Sequence, residues 1–262
     1  MKRDLQLYSR VAAALLFVLL SLSACQMDIK KYTEEKKKEE ETAAGGTEVK
    51  TTYWDGTQTV RSRVQYLNGK KEGLAEQFYR NGNKQMEIAY SNGEKEGMTR
   101  VFYEDGKLYR ETPYVNGLIE GVQKIYHPNG IVAAEIPYRE DWPGIGLKEY
   151  DTKGNEITEE YSIDFEHVNM LKKKNLYRVY INFNPGSSSS EFWFGQPVDG
   201  IYIDPEDHVA IAKEKGRYFL EFEVEPGYRL VKDVHIIGER KSNYKNPYVA
   251  KATLSLDIVN PG

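Results

Sequence analysis

The chain holds one cysteine, Cys25, among 262 residues, which excludes any disulfide framework and any CxxC redox or zinc motif. It lacks a glycine-rich phosphate loop, a dinucleotide fingerprint, a GxSxG elbow around Ser187-Ser188-Ser189-Ser190 and an HExxH pairing, since His127, His167, His208 and His235 lie far apart. No cofactor, metal site or catalytic constellation is expected from these residues. A large charge imbalance is missing too: 36 basic and 40 acidic residues leave a net charge of -4, which argues against nucleic acid as a partner. The longest apolar run, about Val11 to Leu20, falls well short of the roughly 20 residues needed to span a bilayer.

That run is informative for what surrounds it. Lys2, Arg3 and Arg10 precede it, and Leu22-Ser23-Ala24-Cys25 follows it. These four residues resemble the lipobox of bacterial lipoproteins. The resemblance implies cleavage between Ala24 and Cys25, lipidation of Cys25, and membrane attachment through several acyl chains, each buried methylene contributing about 0.8 kcal/mol. Gln26, rather than Asp, after the cysteine implies sorting to the outer membrane of a Gram-negative envelope. Loss of residues 1–24 removes Lys2, Arg3, Arg10 and Asp4 and leaves a mildly acidic mature chain.

Residues 25–50 are expected to be the lipidated cysteine and a solvated tether, dominated by Lys, Glu, Thr, Ala and Gly, too polar to bury a core. Fully extended, such a stretch reaches at most about 80–90 Å.

From residue 51 the chain repeats. Tyr66, Tyr90, Tyr114 and Tyr138 recur every 24 residues, as do Phe78, Phe102, Tyr126 and Tyr150, and Gly82, Gly106, Gly130 and Gly154. Gly73, Gly97 and Gly121 share the period, and the fourth copy slips to Gly146. Such a period signals units that bury their faces only against neighbours. Within each unit two alternating runs flank Asn81-Gly82, Asp105-Gly106 or Asn129-Gly130, read here as tight positive-φ turns, and Asn68-Gly69, Asn92-Gly93 and Asn116-Gly117 link successive units. The expected product is a meandering antiparallel sheet over residues 51–162. The pattern Tyr-x-Asn-Gly, Glu-Gly, aromatic, Asn/Asp-Gly resembles the variant MORN repeat over about residues 64–160, with a leading half-copy at Tyr53-Trp54-Asp55-Gly56. That resemblance implies an interaction scaffold with membrane- and partner-binding roles, and no catalytic residue. Asp141-Trp142-Pro143-Gly144-Ile145-Gly146 breaks the pattern, and Pro143 cannot donate to a ladder. Glu87, Glu111, Glu135 and Glu159 also recur every 24 residues. Successive hairpins place such positions about 9–10 Å apart, too wide for a shared ion, so pairing with Lys, Arg or turn amides is the assigned role.

Residues 163–262 form a second domain with a different period. Residues 166–174 read as a charged connector with a helical turn. Beyond it, Tyr177, Val179, Ile181 and Phe183 alternate with polar residues, as do Leu220, Phe222 and Val224, and Ala252, Leu254, Leu256 and Ile258. Further strands are expected at 191–194, 198–203, 209–212 and 231–237. Six or seven short strands predict a β-sandwich, immunoglobulin-like in outline, so the whole chain is all-β. Phe192-Trp193-Phe194 is a candidate binding edge, with core burial as the favoured alternative. The acidic loop Asp204-Pro205-Glu206-Asp207-His208 reads as a solvated turn.

The functional expectation is a non-catalytic, lipid-anchored envelope protein that serves as a binding or assembly scaffold, its partner another envelope protein. Two alternatives stand beside it: a surface lipoprotein binding a glycan through the Tyr rows or Phe192 to Phe194, and a toxin-neutralising repeat protein.

Overall fold

A computed structural model describes residues 46–159, 161–186, 189–203 and 208–262. The first sheet has twelve strands: β1 Thr47–Tyr53, β2 Val60–Leu67, β3 Lys70–Phe78, β4 Lys84–Ser91, β5 Glu94–Phe102, β6 Leu108–Val115, β7 Leu118–Ile119, β8 Gly121–Tyr126, β9 Val132–Arg139, β10 Trp142–Pro143, β11 Lys148–Tyr150 and β12 Glu156–Ile157. Its path runs β1-β2-β3-β4-β5-β6-β8-β9-β11-β12, every neighbour antiparallel, with β7 on β6 and β10 on β9. Residues 47–50, assigned to the tether, belong instead to β1, where Glu48 pairs Tyr66 and Lys50 pairs Val64. The alternation of Val49, Thr51 and Tyr53 with polar residues suffices for an edge strand once β2 offers its ladder.

The two kinds of turn differ. At 68–69, 92–93 and 116–117 both residues have positive φ (Asn68 51° and Gly69 78°, for example), the two-residue geometry that matches strand twist. The fourth such turn uses Glu140 and Asp141, at 48° and 71°, without glycine. At the other end of each hairpin only the glycine is left-handed. There Tyr79 N–H donates to Asn83 O and Gly82 N–H to Tyr79 O, and Asn81 Oδ1 accepts from Asn83 N–H. The expected tight turn is therefore a longer loop, closed by a bulge after Gln77 that recurs after Val101 and Ile125.

Two series of staples bind each unit to the next. Tyr79 Oη donates to Phe102 O (2.8 Å), Tyr103 Oη donates to Tyr126 O (2.7 Å), and His127 Nε2 meets Tyr150 O (2.8 Å). Trp54 Nε1 makes the same link to Phe78 O at 3.3 Å in the leading half-copy. On the opposite side of the sheet, Glu72, Glu96 and Glu120 accept from the backbone N–H of Asn92, Asn116 and Glu140 (2.6, 2.8 and 3.1 Å). The Glu-Gly of the repeat is thus a turn clamp, and Gly73, at φ 72°, takes the left-handed conformation that favours glycine.

Two four-stranded sheets make the second domain. One has the order β13-β14-β18-β17, from β13 Ser162–Met170, β14 Leu176–Asn184, β17 Lys213–Glu214 and β18 Arg217–Glu223. The other has the order β16-β15-β19-β20, from β15 Glu191–Phe194, β16 Val209–Ala210, β19 Arg229–Lys241 and β20 Pro247–Val259. Lettered A to G with a C′ strand, these are sheets ABED and C′CFG, the immunoglobulin-type order. Val179, Ile181, Phe183, Leu220, Phe192, Ile236, Leu254, Leu256 and Ile258 fill the space between them. The rings of Phe183 and Phe192 stack at 5.2 Å over Gly238, where an added Cβ would meet Phe192 at 2.8 Å.

Two expected elements are corrected. Only Leu171–Lys174 (α1) is helical in the connector; residues 166–170 are the second half of β13, paired residue by residue with β14. The interruption of apolar alternation after Ile163 and Phe165 by His167 and Asn169 disguised a strand with one solvent face. Residues 198–203 form no strand: Val198 and Gly144 each bridge Tyr202, and the segment serves as a clasp between domains.

Candidate functional site

The anomalous fourth copy is the junction. Gly144 pairs with Tyr202, Ile145 N–H donates to Ile201 O (2.8 Å), and the Ile145 side chain packs on buried Trp193, Ile203, Ile237 and Val249. Glu149, 4% exposed, accepts from Ser242 Oγ (2.8 Å) and Asn246 Nδ2 (2.5 Å). Arg139 pairs with Asp199 at 2.6 Å and lies over the Tyr202 ring, while Glu159 accepts from Asn243 Nδ2 (2.7 Å) and from Tyr161 Oη. Irregular pairing at this link, expected from Pro143, is what frees the backbone to bond the sandwich: β10 keeps only two residues on β9 before the chain departs.

Phe192 and Trp193 therefore do not present a free binding edge. Phe192 faces the sandwich core at 2% exposure, and Trp193, one residue on, faces the array at 9%. A strand buried on both sides cannot show alternation, which is why the aromatic run looked like an edge. Phe194 is half-buried and, with Leu220, Phe222 and Val234, lines a cavity of about 470 Å³ where the sheets separate.

The framework residues sort onto the two faces of the array. Lys50, Lys71 and Lys95 place Nζ 4.7, 4.8 and 4.4 Å from the ring centres of Tyr66, Tyr90 and Tyr114. Ile119 replaces the lysine below Tyr138, which sits near Glu239 of the sandwich; burial first, then Glu239, pushes its phenol up. A cation stranded in that junction would be costly. Between the tyrosine row and the hairpin tips lie Ala75, Thr99, Thr112 and Gln123, all buried, with Gln123 Nε2 donating to Thr112 Oγ1 (3.0 Å).

The other face carries a transverse row in which Arg63, Glu76, Glu87, Arg100, Glu111, Lys124, Glu135 and Lys148 lie opposite one another on successive strands. The one like-charged neighbour pair, Glu76 and Glu87, is bridged by Lys84 at 2.8 and 2.6 Å. Arg100 spans Glu87 and Glu111 at 3.3 and 2.9 Å, and Lys124 meets Glu135 at 3.2 Å. The Lys84 hydrogen bond holds the Glu87 carboxyl below its ordinary range. Burial pulls the Glu111 carboxyl up, but the bonds from Tyr126 and Arg100 outweigh it and leave it lowered. Carboxylates held ionised and paired in this way carry the structural role expected of the ladder. Tyr126, whose Oη donates to Glu111 at 2.7 Å, is pushed up to about 12 by burial and that bond. Beside the charges runs an apolar row of Leu74, Ala89, Met98, Pro113, Val122 and Pro137, in which Leu74 is 43% and Val122 47% exposed.

Cys25 and Ala24 lie outside the described residues, as do Asp204, Pro205, Glu206, Asp207, Ser187 and Ser188. His208 meets Gln196 O (2.8 Å), His167 meets Tyr177 Oη (3.2 Å) and His235 meets Thr253 Oγ1 (3.0 Å). Among the described residues no group of His, Cys, Asp and Glu could hold a metal, and no helix is long and apolar enough to cross a membrane. The staples were missed at the sequence level although their signal was present: Tyr79, Tyr103 and His127, and Glu72, Glu96 and Glu120, each keep the 24-residue period.

Comparison with curated proteins finds no match to the chain. Comparison with family descriptions matches the MORN repeat variant at residues 71–92, 95–116 and 119–140, beginning each time one residue before the clamp glutamate. Repeats of this kind point to a role in binding membranes or proteins. Residues 71–140 are therefore an array of three MORN repeat variants, continued on both sides by strands of the same sheet.

Proposed function

We propose that the protein is a non-catalytic, lipid-anchored component of the cell envelope that acts as a binding or assembly scaffold for another envelope protein. Cys25 is the anchor, the segment after it the tether, and the outer membrane the location suggested by Gln26. The observation that carries the reading is the exposed apolar row of the array beside a charge row that is already neutralised within the chain. A surface of that kind associates without first having to strip unpaired charges of water. Stapling supports the role: ten strands along the path extend roughly 45 Å, and links at both edges hold that length as one surface.

Gentle solubilisation of membranes, followed by identification of what copurifies, tests the proposal with Cys25→Ala as the unanchored control. A stoichiometric envelope partner that is reduced by Cys25→Ala and lost in a Leu74→Glu/Val122→Glu variant supports it. Partner retention by the double variant, or an unaltered membrane fraction for Cys25→Ala, overturns it.

A further inference from the structure

The leading half-copy differs from the other units in one respect that the array does not require. Trp54 opens the first hairpin loop, as Tyr79, Tyr103 and His127 open the later ones. Two guanidinium groups, Arg61 and Arg80, lie 5.1 and 4.9 Å from its ring centre. Among the described residues neither guanidinium has a carboxylate within ion-pair distance; the neighbouring Arg63, over the Phe78 ring, is paired with Glu76 at 3.4 Å. Counting back five residues from the row tyrosines Tyr66, Tyr90, Tyr114 and Tyr138 places Arg61 in register with Gln85, Tyr109 and Ala133. In the third hairpin that position is filled by Tyr109, whose ring packs 5.1 Å from Tyr103. The fold accepts an aromatic or a small residue there, so the arginine is not demanded by packing.

Beside Trp54 and Arg61 the sheet opens into a cavity of about 390 Å³, lined also by Thr52, Ser62, Gln77, Phe78 and Gln85, with Arg80 outside this lining on the indole. That volume lies within the range of small-molecule sites, about 300–1,000 Å³. The Thr52 and Ser62 hydroxyls bond each other at 2.7 Å, while the Gln77 and Gln85 amides have no side-chain partner among the described residues. Stacking on the indole orients each guanidinium and leaves its in-plane N–H groups free for an anion. Two amides and two hydroxyls, each able to donate and accept, match vicinal hydroxyl groups rather than an apolar chain.

We propose that this cavity is a binding site for an anionic saccharide: the charged substituent is held by Arg61, and the ring hydroxyls by Gln77, Gln85 and the Thr52–Ser62 pair, while Arg80 on the indole adds positive charge nearby. The site lies among the first strands, away from the junction, and does not depend on the scaffold role.

The test is titration of the detergent-solubilised full-length protein, followed by tryptophan fluorescence and calorimetry, with trigalacturonate, neutral galactotriose, sodium sulfate and triglutamate as probes. Saturable trigalacturonate binding is expected, with the other three at least about tenfold weaker. The fluorescence change should vanish in Trp54→Phe, which identifies the reporter among the three tryptophans. Arg61→Gln should weaken binding about tenfold or more, and Arg80→Gln by less. Arg61→Tyr, which installs the residue the third unit already carries, should abolish binding at an unchanged thermal midpoint. No trigalacturonate binding by a folded protein, unchanged affinity in the arginine variants, or equal affinity for sulfate or triglutamate overturns the proposal.

Discussion

Replacing Glu149 by alanine is expected to loosen the protein at its junction by about 2–4 kcal/mol, from one buried and one half-buried donor that each cost about 1–3 kcal/mol when left without an acceptor. The donors are Ser242 Oγ and Asn246 Nδ2, which converge on one oxygen of a side chain only 4% exposed. Two effects keep the loss below the simple sum. Ser242 Oγ still accepts from the backbone N–H groups of Tyr244 and Asn246, both at 3.2 Å, and removing a buried carboxyl relieves its own desolvation. Glu149→Gln retains the oxygen and the shape, so its loss should stay near 1 kcal/mol. The assay is urea unfolding followed by intrinsic fluorescence and far-ultraviolet circular dichroism, with thermal midpoints alongside. A 3 kcal/mol loss corresponds to a drop of roughly 6–12 °C for a cooperative unit of this size. Amide exchange should accelerate first at residues 242–246. An alanine loss below about 1 kcal/mol, or a glutamine loss equal to it, would refute the claim that acceptor geometry at Glu149 holds the domains together.

Tyr103→Phe removes one inter-unit staple and should cost about 0.5–1.5 kcal/mol, with faster amide exchange around the loop at 103–107; unchanged exchange there would mean that the ladders alone hold the units in register. Glu96→Ala, which leaves the Asn116 N–H without its acceptor, should cost about 1 kcal/mol, and Glu96→Gln much less. Gly238→Ala drives a methyl into the Phe192 and Phe183 rings and should cost about 1–3 kcal/mol, measured as a lowered urea midpoint without loss of secondary structure. Tyr126 supplies a pH test. Its folded pKa, about 12, lies above the ordinary 10, so the folded state keeps a proton that the unfolded chain gives up. Its contribution is full below pH 10 and fades between pH 10 and 12; Tyr126→Phe should flatten the fall of the unfolding midpoint across that window, and an identical fall in both proteins would count against the assignment.

The repeat period located the array, its interlinking turns and its aromatic rows because each unit meets the same neighbours and so retains the same residues. The carboxylate ladder was legible for the same reason: Glu87, Glu111 and Glu135 find Lys or Arg on adjacent strands wherever the register is kept. Glu159, the fourth member, has the period but not the environment; the sheet has ended and Asn243 of the sandwich is its partner. The tight-turn reading made for 81–82 failed, because the bulge after Gln77 adds residues to that loop, and it is the linking turn at 68–69 that has the two-residue geometry. Asn-Gly is compatible with both, and strand register decides between them. The cavity at Trp54 left no periodic trace, since Arg61 and Arg80 come from different hairpins and only folding brings them to one ring.

What the sequence by itself determined is the local and repetitive part: an all-β chain, hairpins closed by glycine turns, and alternating strands of a sandwich, all set by side-chain period and backbone sterics within a few residues. What tertiary structure alone decided is the meaning of the exceptions. Asp141 to Gly146 breaks the repeat because its backbone must bond residues 201 and 202, and Trp193 and Ile237 are buried on a strand face that would otherwise be wet because Ile145 covers them. Such residues answer to partners more than forty positions away, and no local pattern can encode a surface that exists only once two domains have met.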